Sequence, residues 1–119
     1  MKSIQTQLKE AQDVSIRDLV KEGVAAAVEA EKQFRAKHGE PFYCGFAWVE
    51  VIVERTNSKE AKELIAAGFR KDYKPKTLSM WNPGGSSTQS MDVKEAGASA
   101  MAKVLAAGGL YARACSRAD

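Results

Sequence analysis

Residues 42–55, FYCGFAWVEVIVER, are rich in aromatic and β-branched side chains and read as one long strand. Val49, Val51 and Val53 alternate with Glu50 and Glu54, the pattern of a half-buried sheet strand. Upstream, Phe42, Cys44, Phe46 and Trp48 share one face and Tyr43, Gly45 and Ala47 the other. The first half is therefore apolar on both sides, and Gly45 marks a bulge or a close approach of another backbone.

Outward from this strand the pattern turns helical on both sides. Before it, Ile16, Leu19, Val20, Val24, Ala27, Val28 and Phe34 recur at three- and four-residue steps, one face of a long helix that Gly39 and Pro41 end. Ser15 and Asp18 resemble a capping box at its start. After the strand, Asn57 with Glu60 opens a short helix that ends at Gly68, with Ala61, Leu64 and Ile65 as its apolar side. Residues 69–75 read as a charged connection and 77–82 as a short strand. An alanine-rich helix over 91–107 follows, closed by Gly108 and Gly109, and its Ala96, Gly97, Ala98 and Ala100 permit close packing. Residues 110–117 alternate again, with Leu110, Ala112 and Ala114 on one face and Tyr111, Arg113, Cys115 and Arg117 on the other.

The order helix, strand, helix, strand, helix, strand predicts an α+β domain over residues 15–119. Its expected form is one small sheet of three or more strands, with a long N-terminal helix and two further helices packed on it. Residues 1–14, polar with Ile4, Leu8 and Ala11, read as a flexible or helical N-terminal arm. The long helix carries more apolar face than so small a sheet covers, which predicts a homodimer or a higher homo-oligomer.

The chain has 119 residues, 45% hydrophobic and 28% charged, enough for one domain with a real core and no staples. A net charge of +3 is far from the basic stripe of a duplex-DNA binder and is as compatible with an anionic small molecule as with a polynucleotide; of the two, nucleic acid is not the expected partner. Cys44 and Cys115 lack partners at metal-ligand spacing and read as small buried hydrophobes. The N-terminal MKSIQTQLKEAQD has no apolar signal core and no run reaches membrane-spanning length, so a reducing cytosol is the expected home. No cofactor is implied. Asp92, Glu95 and Asp119 could meet at a metal only by folding, so no metal site is expected, and His38, the lone histidine, stands at a helix end where the dipole suits it. Nothing resembles a hydrolase constellation.

Chemistry concentrates in residues 81–97, WNPGGSSTQSMDVKEAG, where a strand passes through a small-polar loop into a helix start. Unpaired N–H groups and the helix dipole favour an anion there, Gly84 and Gly85 allow close approach, and Ser90 is a good N-cap. The same residues are also ordinary turn chemistry, and neither a P-loop nor a dinucleotide fingerprint is present. With Trp81 to stack, Asn82 to read an edge and the arginines of the last strand to hold phosphate, the parts of a nucleotide site are present. The competing reading of those arginines is a solvated face paired with Glu50 or Glu54.

Taken in order, YCGFAWVEV, WNPGG, QSMDVKEAGASAMAKVLAAGG and the terminal SRAD resemble a family of small phage proteins, the first type of Thoeris anti-defence protein. The resemblance covers most of residues 36–119, and the first helix matches only in character. It implies a sponge in the host cytoplasm that sequesters, without cleaving, nucleotide immune signals, chiefly cyclic ADP-ribose isomers and in some members cyclic oligonucleotides, in pockets at subunit interfaces. Carried over by position, Trp81, Asn82 and Gln89 become base or ribose contacts and Arg113 and Arg117 pyrophosphate contacts, with Phe46 and the Ser90 backbone as further ligand-binding candidates. The alternative is a small single-stranded nucleic-acid-binding or protein-interaction module.

Overall fold

The computed structural model describes residues 15–41, 43–86 and 88–118. The expected arm at 1–14, and Phe42, Ser87 and Asp119, lie outside the described residues. The chain is α+β, in the order α1 (Ile16–His38), β1 (Gly45–Ile52), α2 (Lys59–Ala66), β2 (Arg70–Lys71), β3 (Thr77–Trp81), α3 (Met91–Ala107) and β4 (Tyr111–Ala118). The strands form one antiparallel sheet in the order β2-β3-β1-β4, so the most apolar strand is central, where both of its edges are paired.

The pleat of β1 separates two environments. Ala47, Val49 and Val51 point to the helical side and are buried with Val53 in a core that includes Leu64, Phe69, Leu78, Met101 and Leu105. α3 lies directly on β1 and β4, while α1 runs along α3 and touches α2, so the helices stand on one side of the sheet. Phe46, Trp48, Glu50 and Ile52 face the other side, which no helix covers among the described residues.

The buried stripe of α1 is Leu19, Val20, Gly23, Ala27 and Glu31, and it lies against α3. The apolar face from which dimerisation was inferred is thus largely engaged inside the subunit, with Val28 left 48% exposed. Glu31 is only 1% exposed, in the place where the four-residue step from Ala27 calls for an apolar side chain. Room for it comes from α3, where a Cβ added at Gly97 would lie 2.6 Å from Glu31 Oε2.

Several local expectations change. Ser15 stands at the N-cap of α1 but makes no side-chain cap hydrogen bond, so the Ser15–Asp18 capping box does not form. Ser58, not Asn57, caps α2, its Oγ accepting the Ala61 N–H at 3.1 Å. Ile65 is exposed, and the apolar side of α2 is Ala61 and Leu64. The charged connection at 69–75 contains Phe69, which is 1% exposed, and a fourth strand: Arg70 and Lys71 pair with Ser79 and Leu78. A two-residue edge strand has no periodicity to read, and burial of Phe69 holds it in place. Cys44 is exposed and Cys115 half-buried, so neither is the buried hydrophobe expected. The cause is their side of the pleat: both stand on the face that lacks helices, next to Phe46 and Trp48.

The Gly97 contact gives a test in which two effects oppose. Alanine at a helix-interior glycine should add about 1 kcal/mol of stability by propensity. Here the clash with Glu31 should win, and Gly97→Ala is expected to lower stability by about 1–3 kcal/mol in urea unfolding. In a Glu31→Ala background the same substitution should become neutral or stabilising; destabilisation in both backgrounds would show that the carboxylate is not what occupies the space.

Candidate functional site

The 82–90 segment joins β3 to α3 and is shaped by its own polar groups. Asn82 adopts a positive φ of 49°, a conformation asparagine tolerates, and its carbonyl accepts the Gly85 N–H at 2.9 Å across Pro83 and Gly84. Asn82 Nδ2 donates to the Ser86 carbonyl at 2.9 Å, closing a small ring. Ser86 Oγ then donates to Glu31 Oε1 at 2.7 Å, which fastens the loop to α1. Arg35 Nη1 stands 3.6 Å from the same oxygen. Gly84 packs directly on the Glu31 carboxylate, so no side chain fits there.

The start of α3 differs from the anion site that its sequence predicts. The Met91 N–H donates to the Tyr43 carbonyl at 2.7 Å, and the Ser90 N–H to Thr88 Oγ1 at 3.1 Å. Cys44 and Ser90 form a bridge, so the chain enters α3 as an extension of the sheet. Ser90 occupies the N-cap position without a side-chain cap bond, and its Oγ is buried and unpartnered. Two donors of the helix start are therefore already engaged, and Ser90 is not the side-chain cap that its type suggests.

Two open clefts flank this junction. One, about 440 Å³, is lined by Glu40, Pro41, Tyr43, Cys44, Thr88, Gln89 and Ser90. The other, about 390 Å³, is lined by Cys44, Gly45, Phe46, Asn82, Ser86, Thr88, Gln89 and Lys94. Each is within the size range of small-molecule sites. They share Cys44, Thr88 and Gln89, and Cys44 Sγ lies 3.9 Å from Gln89 Oε1 at their boundary.

Phe46 connects the second cleft to the uncovered sheet face. Lys94 Nζ lies 5.3 Å and the Arg117 guanidinium 5.8 Å from its ring centre, both within cation–π range. Trp81 meets Phe46 edge-on at 6.0 Å and stacks on Trp48 at 4.4 Å with 16° between planes. Trp81 is 50% exposed, so part of its ring system is open to solvent.

Of the residues predicted from sequence, Phe46, Asn82, Gln89 and the Ser90 backbone line the clefts, and Trp81 and Arg117 adjoin them through Phe46. Arg113 stands apart. Its Nε and Nη2 donate to Glu50 Oε1 at 2.9 and 2.7 Å, so a phosphate would have to share it with a carboxylate. Trp48 Nε1 and Lys74 Nζ both donate to Glu50 Oε2 at 2.9 Å. Burial pushes the Glu50 carboxyl up, but the hydrogen bonds from Trp48, Lys74 and Arg113 outweigh it and hold the group at about 2. The same pairing raises the Lys74 and Arg113 values, and burial, with the Glu50 charge, raises that of the Cys115 thiol.

Sequence reasoning missed Lys94 and Glu31. A lysine in the first turn of a helix opposes the dipole and calls for a nearby acceptor, which the Gly45 carbonyl supplies at 3.0 Å. A glutamate in register with Leu19, Gly23 and Ala27 is the corresponding signal for Glu31. His38 ends α1 with its ring 4.8 Å from that of Phe34. Among the described residues no group of three or more His, Cys, Asp or Glu is placed to hold a metal, and no helix is long and apolar enough to cross a membrane.

Compared with known proteins, the chain matches no family model, no curated protein and no solved structure.

The Glu50 cluster sets an acid limb on stability. A carboxyl at 4.5 unfolded and about 2 folded contributes on the order of 3 kcal/mol, fully present above about pH 5 and lost as pH falls through the folded value. Urea midpoints measured from pH 7 to pH 2 should fall across that window. Glu50→Gln should flatten most of this fall; an unchanged acid slope in the variant would assign the titration elsewhere.

Proposed function

We propose that this protein is a phage anti-defence sponge, which binds a nucleotide immune signal of the cyclic ADP-ribose class in the cleft between the start of β1 and the 82–90 segment and releases it unchanged. The observation that carries the reading is the Phe46 corner. An aromatic ring with two cations beside it borders a cleft that Asn82 and Gln89 also line, with Gln89 exposed at its rim. A planar base, a ribose edge and a pyrophosphate need those three kinds of contact in one place. The order of sequence motifs along residues 36–119 supplies the ligand class and the viral context.

In this reading Lys94 and Arg117 hold the phosphates, Phe46 and Trp81 offer stacking surface, Gln89 reads a polar edge, and Asn82 shapes the loop through its bond to Ser86. Arg113 keeps Glu50 neutralised and acts on the ligand only through the field of the face. Both clefts are open, and Cys44 and Gln89 are exposed at their boundary. A second subunit covering them would complete the pocket, and the outer edge of β4, unpaired among the described residues, offers a surface for assembly. Homo-oligomerisation, action in the host cytoplasm and binding without turnover belong to this same proposal.

Calorimetric titration with cyclic ADP-ribose isomers and cyclic oligonucleotides should give tight binding, with the ligand recovered intact by chromatography after denaturation. Lys94→Glu should weaken binding at least tenfold with little change in melting temperature, because a carboxylate suits the first turn of α3. Bound ligand should also slow alkylation of exposed Cys44 while leaving Cys115 as slow as before. Absence of binding across the panel returns the loop to plain turn structure, and turnover would make the protein an enzyme.

A further inference from the structure

The uncovered face of the sheet is a larger surface, which meets the cleft at Phe46, Trp81 and Arg117 and continues beyond it over Arg70, Lys74, Arg113 and Tyr111. In register across it lie Trp81, Trp48 and Cys115, then Arg70, Ser79, Glu50 and Arg113, then Thr77, Ile52 and Tyr111. Lys74 reaches in over Glu50 from the β2–β3 turn, and Asp72 stands at the margin opposite Thr77. Arg117 is placed opposite Phe46 at the far end.

The charge of this face differs from that of the whole chain. The sequence carries 18 basic and 15 acidic side chains, close to balance. Here Arg70, Lys74, Arg113 and Arg117 face two carboxylates, and one of these, Glu50, is buried beneath its partners. What solvent meets is therefore cationic, interleaved with aromatic rings that are themselves exposed: Trp81 at 50% and Tyr111 at 71%.

The geometry points to this face as a docking surface for an unpaired nucleic-acid strand. Exposed rings stack bases of any sequence, and cations spaced between them follow a phosphate backbone. Tyr111 stands four residues from the Trp48–Trp81 row along β4, about 14 Å at about 3.4 Å per residue, so the two platforms take bases that are not adjacent in one stack. A duplex cannot use them, because its bases are already stacked. A second copy fits less well, since a two-fold contact through this face would set its arginines against their own kind. Stacking and charge contacts are indifferent to the sugar, so the surface selects single strands rather than DNA or RNA.

The inference goes beyond the nucleotide cleft and is tested on residues that do not line it. Fluorescence anisotropy with labelled oligothymidylates of 6, 12 and 20 nucleotides should show affinity rising with length. Two to four neutralised phosphates should cost roughly 7- to 50-fold in affinity between 50 and 200 mM salt. Tyr111→Ala and Arg70→Glu, both at exposed positions, should each weaken binding of the 20-mer at least fivefold with an unchanged melting temperature. The same variants should leave small-nucleotide titration at the cleft unaltered, so this surface and the cleft fail separately. Absence of oligonucleotide binding, equal affinity for a 20-base-pair duplex, or indifference to both substitutions overturns the proposal. So does a concentration-dependent mass that Tyr111→Ala abolishes, which would make a second copy the occupant.

Discussion

The carboxylate of Glu50 is the point on which the two surfaces of this protein depend. It sits mid-strand in β1, on the side of the sheet that no helix covers among the described residues, and still it is inaccessible to solvent. Burial of a charge is tolerated only when its acceptor sites are filled, and here they are: one oxygen takes two bonds from Arg113, the other takes Trp48 and Lys74. This single group therefore ties β1 to β4, draws in the β2–β3 turn and fixes the indole of Trp48. Trp81 stacks on that indole and meets Phe46 in turn, so the orientation of the aromatic row traces back to one glutamate.

Glu31 is its counterpart on the helical side, and the contrast between them is physical. Glu50 is surrounded by donors. Glu31 has Ser86 and, more distantly, Arg35 on one oxygen, and its other oxygen is buried without a partner among the described residues. Asn82 Oδ1 and Ser90 Oγ are orphaned in the same way, and all three belong to the 82–90 segment or to the residue that fastens it. Burying polar groups costs free energy, and here that cost is concentrated around one loop.

The fold was largely legible because its main elements are long and periodic. The bounds of α3 and the facing of β1 and β4 follow directly from spacing, as do Val49, Val51 and Val53 in the core. β2 was not legible, since two charged residues carry no pattern and Phe69 acts through tertiary burial. Capping failed at Ser15 and Ser90, because an N-cap serine is read from its type while the rotamer that makes the cap bond is set only in the folded chain. At Ser90 the chain arrives beside β1, where the Tyr43 carbonyl takes the Met91 N–H and Thr88 Oγ1 the N–H of Ser90 itself. The candidate site was legible in its residue types and only partly in their grouping, because Lys94 and Glu31 enter through helix faces that touch the loop only after folding.

Arg113 and Arg117 show how far register, rather than residue type, decides what a side chain does. They lie on one face of β4, separated by a single further outward position, and as sequence they are equivalent. Pairing with β1 sets Arg113 opposite Glu50 and Arg117 opposite Phe46. The first becomes part of a neutralised, hydrogen-bonded cluster whose role is to make the burial of a carboxylate tolerable. The second meets an aromatic ring and keeps its charge available to solvent. A shift of two residues in that pairing would preserve every inward and outward orientation and the whole apolar core, and would still move both charges to different neighbours. The hydrophobic pattern therefore specifies which way β1 and β4 face, and the Glu50–Arg113 pair favours the register they adopt.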